Sequence, residues 1–214
     1  MDLGTLPTGR SVEGRPLVAY SLGAIAERPL ALVFGGIHGD ELDTPRAVVA
    51  LAAMLREAPV GAHVLLVEAV NPDGLAAGVK DNARGVDLNR NFPAANWSAA
   101  HPPGYAPGSA PLSEPESAWL AMLIERFEPR RLVALHQPFR CVNFDGPSRD
   151  LAERMARACG WPVMGDIGYP TPGSFGSCYG VDRGLPVITL ELPRPLHEED
   201  RERAVAALRV ACTP

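Results

Sequence analysis

The chain has 214 residues, of which 46% are hydrophobic and 21% are charged, as in an ordinary globular protein. At roughly 150 residues per domain, this length predicts one domain over residues 1–214. No apolar run reaches the ~18 residues of a membrane span, and a net charge of −5 without a basic cluster argues against nucleic acid as a partner.

The first residues have neither the basic start nor the apolar stretch of a secretory signal. The four cysteines lie far apart without CxxC spacing, which predicts reduced thiols rather than a disulfide framework. The expected location is therefore the cytoplasm. An acidic chain of this kind is compatible with a monomer or a homodimer.

Short apolar segments alternate with helical patterns along the chain, and this predicts an α/β fold. Asn71-Pro72-Asp73-Gly74 predicts a turn, and the proline-rich segment 93–115 predicts a long surface loop of the kind that is often functional. Thr44 is the expected N-cap of the first long helix. We expect a three-layer sandwich with a mixed, largely parallel central sheet flanked by helices. The predicted strands are 30–34, 63–70, 131–135 and 185–192, and the predicted helices are 44–56, 114–127, 151–159 and 199–210.

Histidine and glutamate side chains, which are common metal ligands, lie at or just beyond the ends of three predicted strands. His38 and Glu41 come after the first, His136 directly follows the third, and Glu191 lies near the end of the last. Ligands of α/β sheets bind beyond the carboxyl ends of the strands. Two imidazoles and one carboxylate suit a catalytic Zn²⁺ with an open place for water. The HxxE spacing alone is weak, because a loop histidine and a carboxylate at a helix start produce the same pattern.

The segment Asn82–Pro93 is the most informative stretch of the chain, because it has two arginines, three asparagines and one aspartate among few apolar residues. Arg84 and Arg90 offer planar donors for a carboxylate or an oxyanion. Asp87 could orient a metal-bound histidine. A solvated edge segment with no function is the alternative interpretation of this composition.

These segments, taken together and in this order, resemble the zinc carboxypeptidases of the carboxypeptidase A type. The resemblance extends from about residue 8 to residue 195, over most of the chain. The segments are Gly9–Leu17, Gly36-Ile37-His38-Gly39-Asp40-Glu41, Asn71–Gly74, Gly85-Val86-Asp87-Leu88-Asn89-Arg90-Asn91-Phe92 and Thr189-Leu190-Glu191.

The resemblance implies a role for each matching position. His38, Glu41 and His136 match the ligands of one zinc ion, and Glu191 matches the general base and acid. Asp87 matches the partner of the first histidine ligand. Asn89 and Arg90 match the pair that binds the terminal carboxylate of the substrate, and Arg84 matches the arginine that polarises the scissile carbonyl. Tyr179 stands roughly where the larger enzymes carry a mobile tyrosine over the substrate.

Within the family, the short chain and the segments 82–93 and 171–177 resemble bacterial cytoplasmic amidases of peptidoglycan recycling. The implied reaction is cleavage of the γ-D-glutamyl–meso-diaminopimelate bond of murein tripeptide, a small peptide with a free C-terminal carboxylate. The segments 93–115 and 140–148 are the candidates for reading the diaminopimelate side chain. His63, His101 and His197 are expected to be solvated.

Three other functions stay open at this point. Desuccinylases and aspartoacylase-like zinc hydrolases share a short HxxE and DLNR core but act on N-acyl amino acids. A general metallocarboxypeptidase is the second alternative. The third is a non-catalytic relative that binds muropeptides, which would be marked by loss of Glu191 or of a zinc ligand.

Overall fold

A computed structural model describes residues 6–23 and 28–214 of the chain. Its strands are β1 (Gly9–Arg10), β2 (Pro16–Leu17), β3 (Tyr20–Leu22), β4 (Ala31–Phe34), β5 (Val64–Val67), β6 (Leu132–His136), β7 (Phe139–Asp145), β8 (Val163–Met164) and β9 (Val187–Pro193). Its α-helices are α1 (Asp43–Glu57), α2 (Pro72–Ala77), α3 (Pro115–Phe127), α4 (Arg149–Cys159) and α5 (Glu198–Cys212). A 3₁₀ helix (Leu88–Arg90) and a π-helix (Gly176–Asp182) lie between them.

The central sheet has seven strands in the order β3-β5-β4-β6-β9-β7-β8. β5, β4, β6 and β9 are parallel neighbours, whereas β3 and β7 run antiparallel to β5 and β9. β8 lies parallel to β7 at the far edge. The predicted mixed, largely parallel α/β sandwich is therefore confirmed.

Successive residues of the central strands point to opposite faces of the sheet and build two cores. In β4, Val33 packs with α1, α4 and α5 on one face, and Phe34 packs with α3 on the other. Both faces are covered, which explains why the parallel strands are continuously apolar. No helix within the described ranges has the length and apolar character that a membrane span requires.

The predicted strands and long helices are all present, with ends that differ by a few residues. The predicted turn at Asn71 is instead the start of helix α2, because the Asn71 side chain accepts a hydrogen bond from the Gly74 amide at 2.9 Å and caps the helix. The short strands β1, β2, β3 and β8, the longer strand β7, the 3₁₀ helix and the π-helix were not predicted. The β7 sequence, FRCVNFD, has no clean alternation of apolar and polar residues.

Thr44 does not cap helix α1, which begins one residue earlier, at Asp43. Its hydroxyl is buried, accepts a hydrogen bond from the Gly36 amide at 2.8 Å and donates one to the Glu41 carbonyl at 2.9 Å. Thr44 thereby ties the end of β4 to the start of α1. The tied segment contains His38 and Glu41.

We expect Thr44→Val to destabilise the protein by about 2–4 kcal/mol, because it leaves the buried Gly36 amide unpaired and removes one of the two hydrogen bonds that the Glu41 carbonyl accepts. Thr44→Ser retains both hydrogen bonds and loses only a methyl group, so it should cost about 1 kcal/mol. Urea unfolding of the three proteins measures the difference. A valine variant as stable as the serine variant would contradict this role.

Candidate metal centre and cavity

His38, Glu41 and His136 meet at the carboxyl ends of β4 and β6. One ligand atom from each lies within 4.8 Å of the others, and all three residues are buried. The Nδ1 atom of His38 is 2.9 Å from Glu41 Oε1, and the Nδ1 atom of His136 is 3.2 Å from Glu41 Oε2. The structure thus brings together the three residues that the sequence indicated as zinc ligands.

The backbone between β4 and α1 holds the first two of these residues close together. Gly36 has a φ of 61°, in the left-handed region that glycine adopts without strain. At Gly39, an added Cβ atom would lie 2.0 Å from the carbonyl carbon of Gly74, so only glycine fits where this loop meets α2. The Glu41 amide donates to the His38 carbonyl at 3.3 Å.

Asp87 is fully buried and lies on the other side of the His38 ring, with its Oδ1 atom 3.2 Å from His38 Nε2. This contact fixes the ring and leaves Nδ1 turned toward Glu41. Lys80 approaches the same carboxylate, with Nζ 2.6 Å from Asp87 Oδ2. The position of Asp87 beside His38 matches the orienting role that the sequence resemblance implies.

The electrostatics of this cluster favour a cation. Burial lowers the pKa of His38, but the negative charges of Glu41 and Asp87 outweigh burial and raise this pKa to about 10. Burial raises the pKa of Glu41, but His136 and His38 lower it to about 2. Glu41 Oε2 is buried and has no hydrogen bond of good geometry. Two carboxylates around imidazole nitrogens in a buried site therefore fit a divalent metal such as zinc.

Glu191 is buried opposite His136 in the pairing of β6 with β9. Burial and the nearby charge of Glu41 raise the pKa of Glu191, although His136 partly opposes this effect. Its Oε2 atom accepts a hydrogen bond from the Phe139 amide at 3.4 Å. A buried carboxyl in this position beside a metal centre is suited to take up a proton from water and to release it again.

A cavity of about 220 Å³ contains the metal-binding residues and Glu191. Arg90 is buried in its wall, over the ring of Tyr105 at 5.1 Å, and donates a hydrogen bond to the carbonyl of Asn89. Within the described ranges Arg90 forms no ion pair. Asn89 lines the same wall, and its side-chain oxygen accepts from the Phe175 amide at 2.9 Å. A buried guanidinium without a counterion favours an anionic ligand.

Two residues that the sequence indicated do not reach this cavity. Arg84 is exposed, and its Nη1 atom lies 3.5 Å from Oε2 of the buried Glu114; neither residue lines the cavity. Tyr179 is fully buried in the π-helix between Phe92 and Phe175, away from the cavity. Burial raises the pKa of Tyr179, consistent with its apolar surroundings.

The cavity contains other polar residues that the sequence did not indicate. Tyr169 is 40% exposed and lies against Phe139 at the entrance, so it is better placed than Tyr179 to contact a ligand. Both tyrosines precede Glu191, and nothing local in the sequence distinguishes them. Lys80 and Tyr105 line the side wall, and Asn143 and Asp145 line the inner end. The last two lie in the segment 140–148, which the sequence indicated only as a range.

The histidines outside the cluster divide into two groups. His101 and His197 are exposed, as predicted. His63 is buried, with Nε2 2.7 Å from Ser21 Oγ, so its predicted solvation was wrong. The pairing of β3 with β5 brings Ser21 next to this strand, and this pairing cannot be read from residues near His63. All four cysteines are free and buried.

Known proteins resemble this chain over most of its length. The zinc carboxypeptidase family profile matches residues 4–146. Murein peptide amidase A of Escherichia coli K12 is 40% identical over 220 residues, covering 96% of this chain and 88% of that protein. The enzyme of the same name from Vibrio campbellii is 35% identical over 199 residues, covering 86% of this chain and 77% of that protein.

Solved structures show the same fold. The crystal structure of murein-tripeptide amidase from E. coli O157 covers 99% of this chain with a TM-score of 0.75 at 35% identity, and 96% of that chain is covered. Thrombin-activatable fibrinolysis inhibitor gives a TM-score of 0.83 at 18% identity, over 98% of this chain and 70% of that one. The second likeness concerns the fold alone.

We expect the purified protein to bind one zinc ion, and His38→Ala to weaken binding far more than His101→Ala, which changes an exposed histidine. Asp87→Ala should weaken binding by about 10–100-fold, because loss of the partner of a metal-binding histidine has that cost. Competition with a coloured chelator measures all three affinities. Equal affinities for the wild type and His38→Ala would contradict the assignment.

Proposed function

Because the chain belongs to the zinc carboxypeptidase family, we propose that it is a zinc-dependent amidase that hydrolyses the γ-D-glutamyl–meso-diaminopimelate bond of murein tripeptide. The observation that carries this proposal is the cavity, in which the His38–Glu41–His136 cluster, Glu191 and the unpaired Arg90 face one space. Relatives at 40% and 35% identity that are named murein peptide amidase A support this choice of substrate.

The residues of the cavity have different roles in the proposed hydrolysis. When bound by His38, Glu41 and His136, zinc would lower the pKa of a water molecule to about 7 and polarise a carbonyl group. Glu191 accepts a proton from the attacking water, whose oxygen bonds to the γ-carbonyl carbon of D-glutamate. The carbon–nitrogen bond then breaks, and Glu191 returns the proton to the leaving nitrogen of diaminopimelate. The products are L-Ala-D-Glu and free diaminopimelate.

Arg90 and Asn89 bind the free α-carboxylate of the substrate in this proposal. The buried guanidinium of Arg90 gains the counterion that it otherwise lacks. The carboxylate is one carbon from the nitrogen of the scissile bond, so this contact positions the reacting carbonyl beside the cluster. Positioning of this kind supplies a large part of the rate acceleration of many enzymes.

Lys80 is our candidate for the cation that stabilises the developing oxyanion, in the role that the resemblance implied for Arg84. Its Nζ atom lies in the cavity wall, held between Asp87 and the ring of Tyr105 at 4.0 Å from the ring centre. Arg84 is exposed and paired with Glu114 instead. A preorganised cation beside the reacting carbonyl is worth several kcal/mol in the transition state.

The same proposal includes one catalytic domain over residues 1–214, a cytoplasmic location and a monomer or homodimer. The sheet, which takes strands from Tyr20 to Pro193, supports the single domain. The four free cysteines support a reducing compartment. Gel filtration with light scattering measures the oligomeric state.

The substrate is tested by incubating zinc-loaded protein with L-Ala-γ-D-Glu-meso-diaminopimelate and with N-succinyl, N-acetyl and ordinary C-terminal peptide substrates. We expect release of diaminopimelate to be the fastest reaction and to stop when a chelator removes the metal. Faster hydrolysis of an N-acyl amino acid or of an ordinary peptide would contradict the proposal and favour the corresponding alternative.

We expect Glu191→Gln to retain zinc and lose about 10²–10⁴-fold in kcat, because glutamine cannot transfer the proton. Glu202→Gln, which changes an exposed glutamate of α5, should leave kcat and zinc content unchanged. Initial rates and metal analysis of the same preparations separate the two effects. Retained turnover in a Glu191→Gln preparation free of wild-type enzyme would exclude this mechanism.

The paired variants Lys80→Met and Arg84→Met distinguish the two candidate cations. We expect Lys80→Met to lower kcat by about 10²–10³-fold, as the loss of one oxyanion donor does. Arg84→Met should stay within about twofold of the wild type, because Arg84 is exposed and does not line the cavity. The reverse order of effects would return the oxyanion role to Arg84.

A further inference from the structure

The side chain of Gln137 joins three elements beside the metal centre. Gln137 directly follows His136, the last residue of β6, and is buried. Its carboxamide oxygen accepts a hydrogen bond from the Asp43 amide at 3.4 Å. Its carboxamide nitrogen donates to Asp43 Oδ2 at 3.2 Å and to the Pro193 carbonyl at 2.8 Å. Because Asp43 begins α1 and Pro193 ends β9, one side chain connects β6 to both. The mechanism proposed above does not use this residue.

These partners determine the orientation of the carboxamide of Gln137. With its oxygen and nitrogen exchanged, the oxygen would face the Asp43 carboxylate and the Pro193 carbonyl, which are both acceptors. Glutamate at this position would present an acceptor to the same two groups. Methionine has a similar length but no donor, and asparagine has the same groups on a shorter stem. The three contacts therefore require glutamine.

The sheet does not by itself hold Glu41 next to His136. β4 pairs with β6 only as far as Phe34, and the chain then leaves the sheet. Glu41 lies in the loop that follows, just before the start of α1. The hydrogen bonds between Gln137 and Asp43 link the start of α1 to the end of β6. They therefore hold the loop that contains Glu41 against the strand that ends in His136.

The same side chain extends the link between β6 and β9 beyond their last residue pair. The parallel pairing of these strands ends with His136 opposite Glu191. Gln137 then donates to the carbonyl of Pro193, beyond Glu191 in β9. On the other side of β9, Phe139 of β7 lies opposite Pro193, and its amide donates to Glu191. The end of β9 is thus held by both of its neighbours.

The Asp43 carboxylate has a second partner, which offers a comparison for the contact with Gln137. Its Oδ1 atom lies 2.9 Å from Nη1 of Arg46, in the first turn of α1. Arg46 is exposed, whereas Gln137 is buried. Exposed ion pairs contribute little to the placement of a backbone segment. The contact with Gln137 is therefore the one that we expect to hold the start of α1.

We propose that Gln137 is a positioning residue of the metal centre, which sets the distances among Glu41, His136 and Glu191 by joining α1, β6 and β9. This inference rests on the proposed function in taking these residues as the zinc site and its proton acceptor. In this role Gln137 acts through its neighbours and contacts neither metal nor substrate. A small displacement of such groups is enough to weaken metal binding and to slow catalysis.

The first test is Gln137→Met, which retains the length of the side chain and removes all three hydrogen bonds. We expect the dissociation constant for zinc to rise by about 10–100-fold, as it does when residues that orient metal ligands are lost. We expect kcat to fall by about tenfold and KM to change by less than about threefold, because Arg90 and Asn89 are untouched. Arg46→Met is the matched control and should change none of these values. Competition with a chelator and initial rates measure them.

Cobalt(II) in place of zinc provides a signal that a purely structural role would not alter. Its visible absorption depends on the geometry of the ligands, so the bands of Gln137→Met should differ from those of the wild type and of Arg46→Met. Urea unfolding of the metal-free proteins measures stability separately. Unchanged zinc affinity and an unchanged cobalt spectrum would overturn the inference. A lower stability with both of these unchanged would assign Gln137 a structural role only.

Asp43→Ala tests the same contact from its other side, and it serves as a milder variant if Gln137→Met does not fold. It removes one of the three hydrogen bonds and leaves the Asp43 amide in place. We expect it to weaken zinc binding more than Arg46→Met does. In the double variant, the rise in the dissociation constant should be smaller than the product of the two separate rises, since both changes remove one contact. Independent effects would contradict the proposal.

The zinc measurements need no substrate, so they separate this inference from the proposed function. If the wild type binds zinc but releases no diaminopimelate from murein tripeptide, the proposed function is wrong. The zinc affinities and cobalt spectra then still decide the role of Gln137. If the wild type releases diaminopimelate and Gln137→Met retains the affinity and spectrum of the wild type, only this inference fails.

Discussion

The buried cluster of two carboxylates and two imidazoles is the constraint on which the rest of the site depends. Glu41 and Asp87 flank His38, and Glu41 also faces His136. Carboxylates in a buried position are costly unless a cation or hydrogen-bond donors compensate them. The loop after β4, the cap of α2 and the 3₁₀ segment all pack around this cluster. The close packing of glycine in the loop after β4 and the hydrogen bond of the Thr44 hydroxyl fix the backbone of this loop. The charged side chains therefore meet within a few ångströms.

The cavity next to this cluster has cationic side chains at one end and hydrogen-bond acceptors at the other. Cationic Arg90 and Lys80 line the part near the metal-binding residues, and the acceptors Asn143 and Asp145 line the inner end. Tyr169, at the entrance, lines the same cavity.

Much of the site could be predicted from the sequence because its residues lie close to the ends of apolar strands. His38 lies in the loop after β4, His136 ends β6, and Glu191 lies near the end of β9. Parallel pairing brings those strand ends together. Tyr179 and Arg84 were less predictable. Another tyrosine, Tyr169, precedes Tyr179 in the sequence, and another cation, Lys80, precedes Arg84. Which member of each pair lines the cavity depends on how the π-helix and the loop before the 3₁₀ helix pack. No local pattern encodes that packing.

By itself the sequence determined the α/β class, the four parallel strands of the central sheet, the long helices, and the chemical types of the groups near the strand ends, because these follow from periodicity and composition over short stretches. Only the tertiary structure decided which side chains line the cavity. The antiparallel insertion of β7 beside β9 is a pairing between segments more than forty residues apart, and it alone sets Asp145 below Glu191. Such non-local pairings arise from the fit of whole surfaces, so residues near β7 contain little information about them.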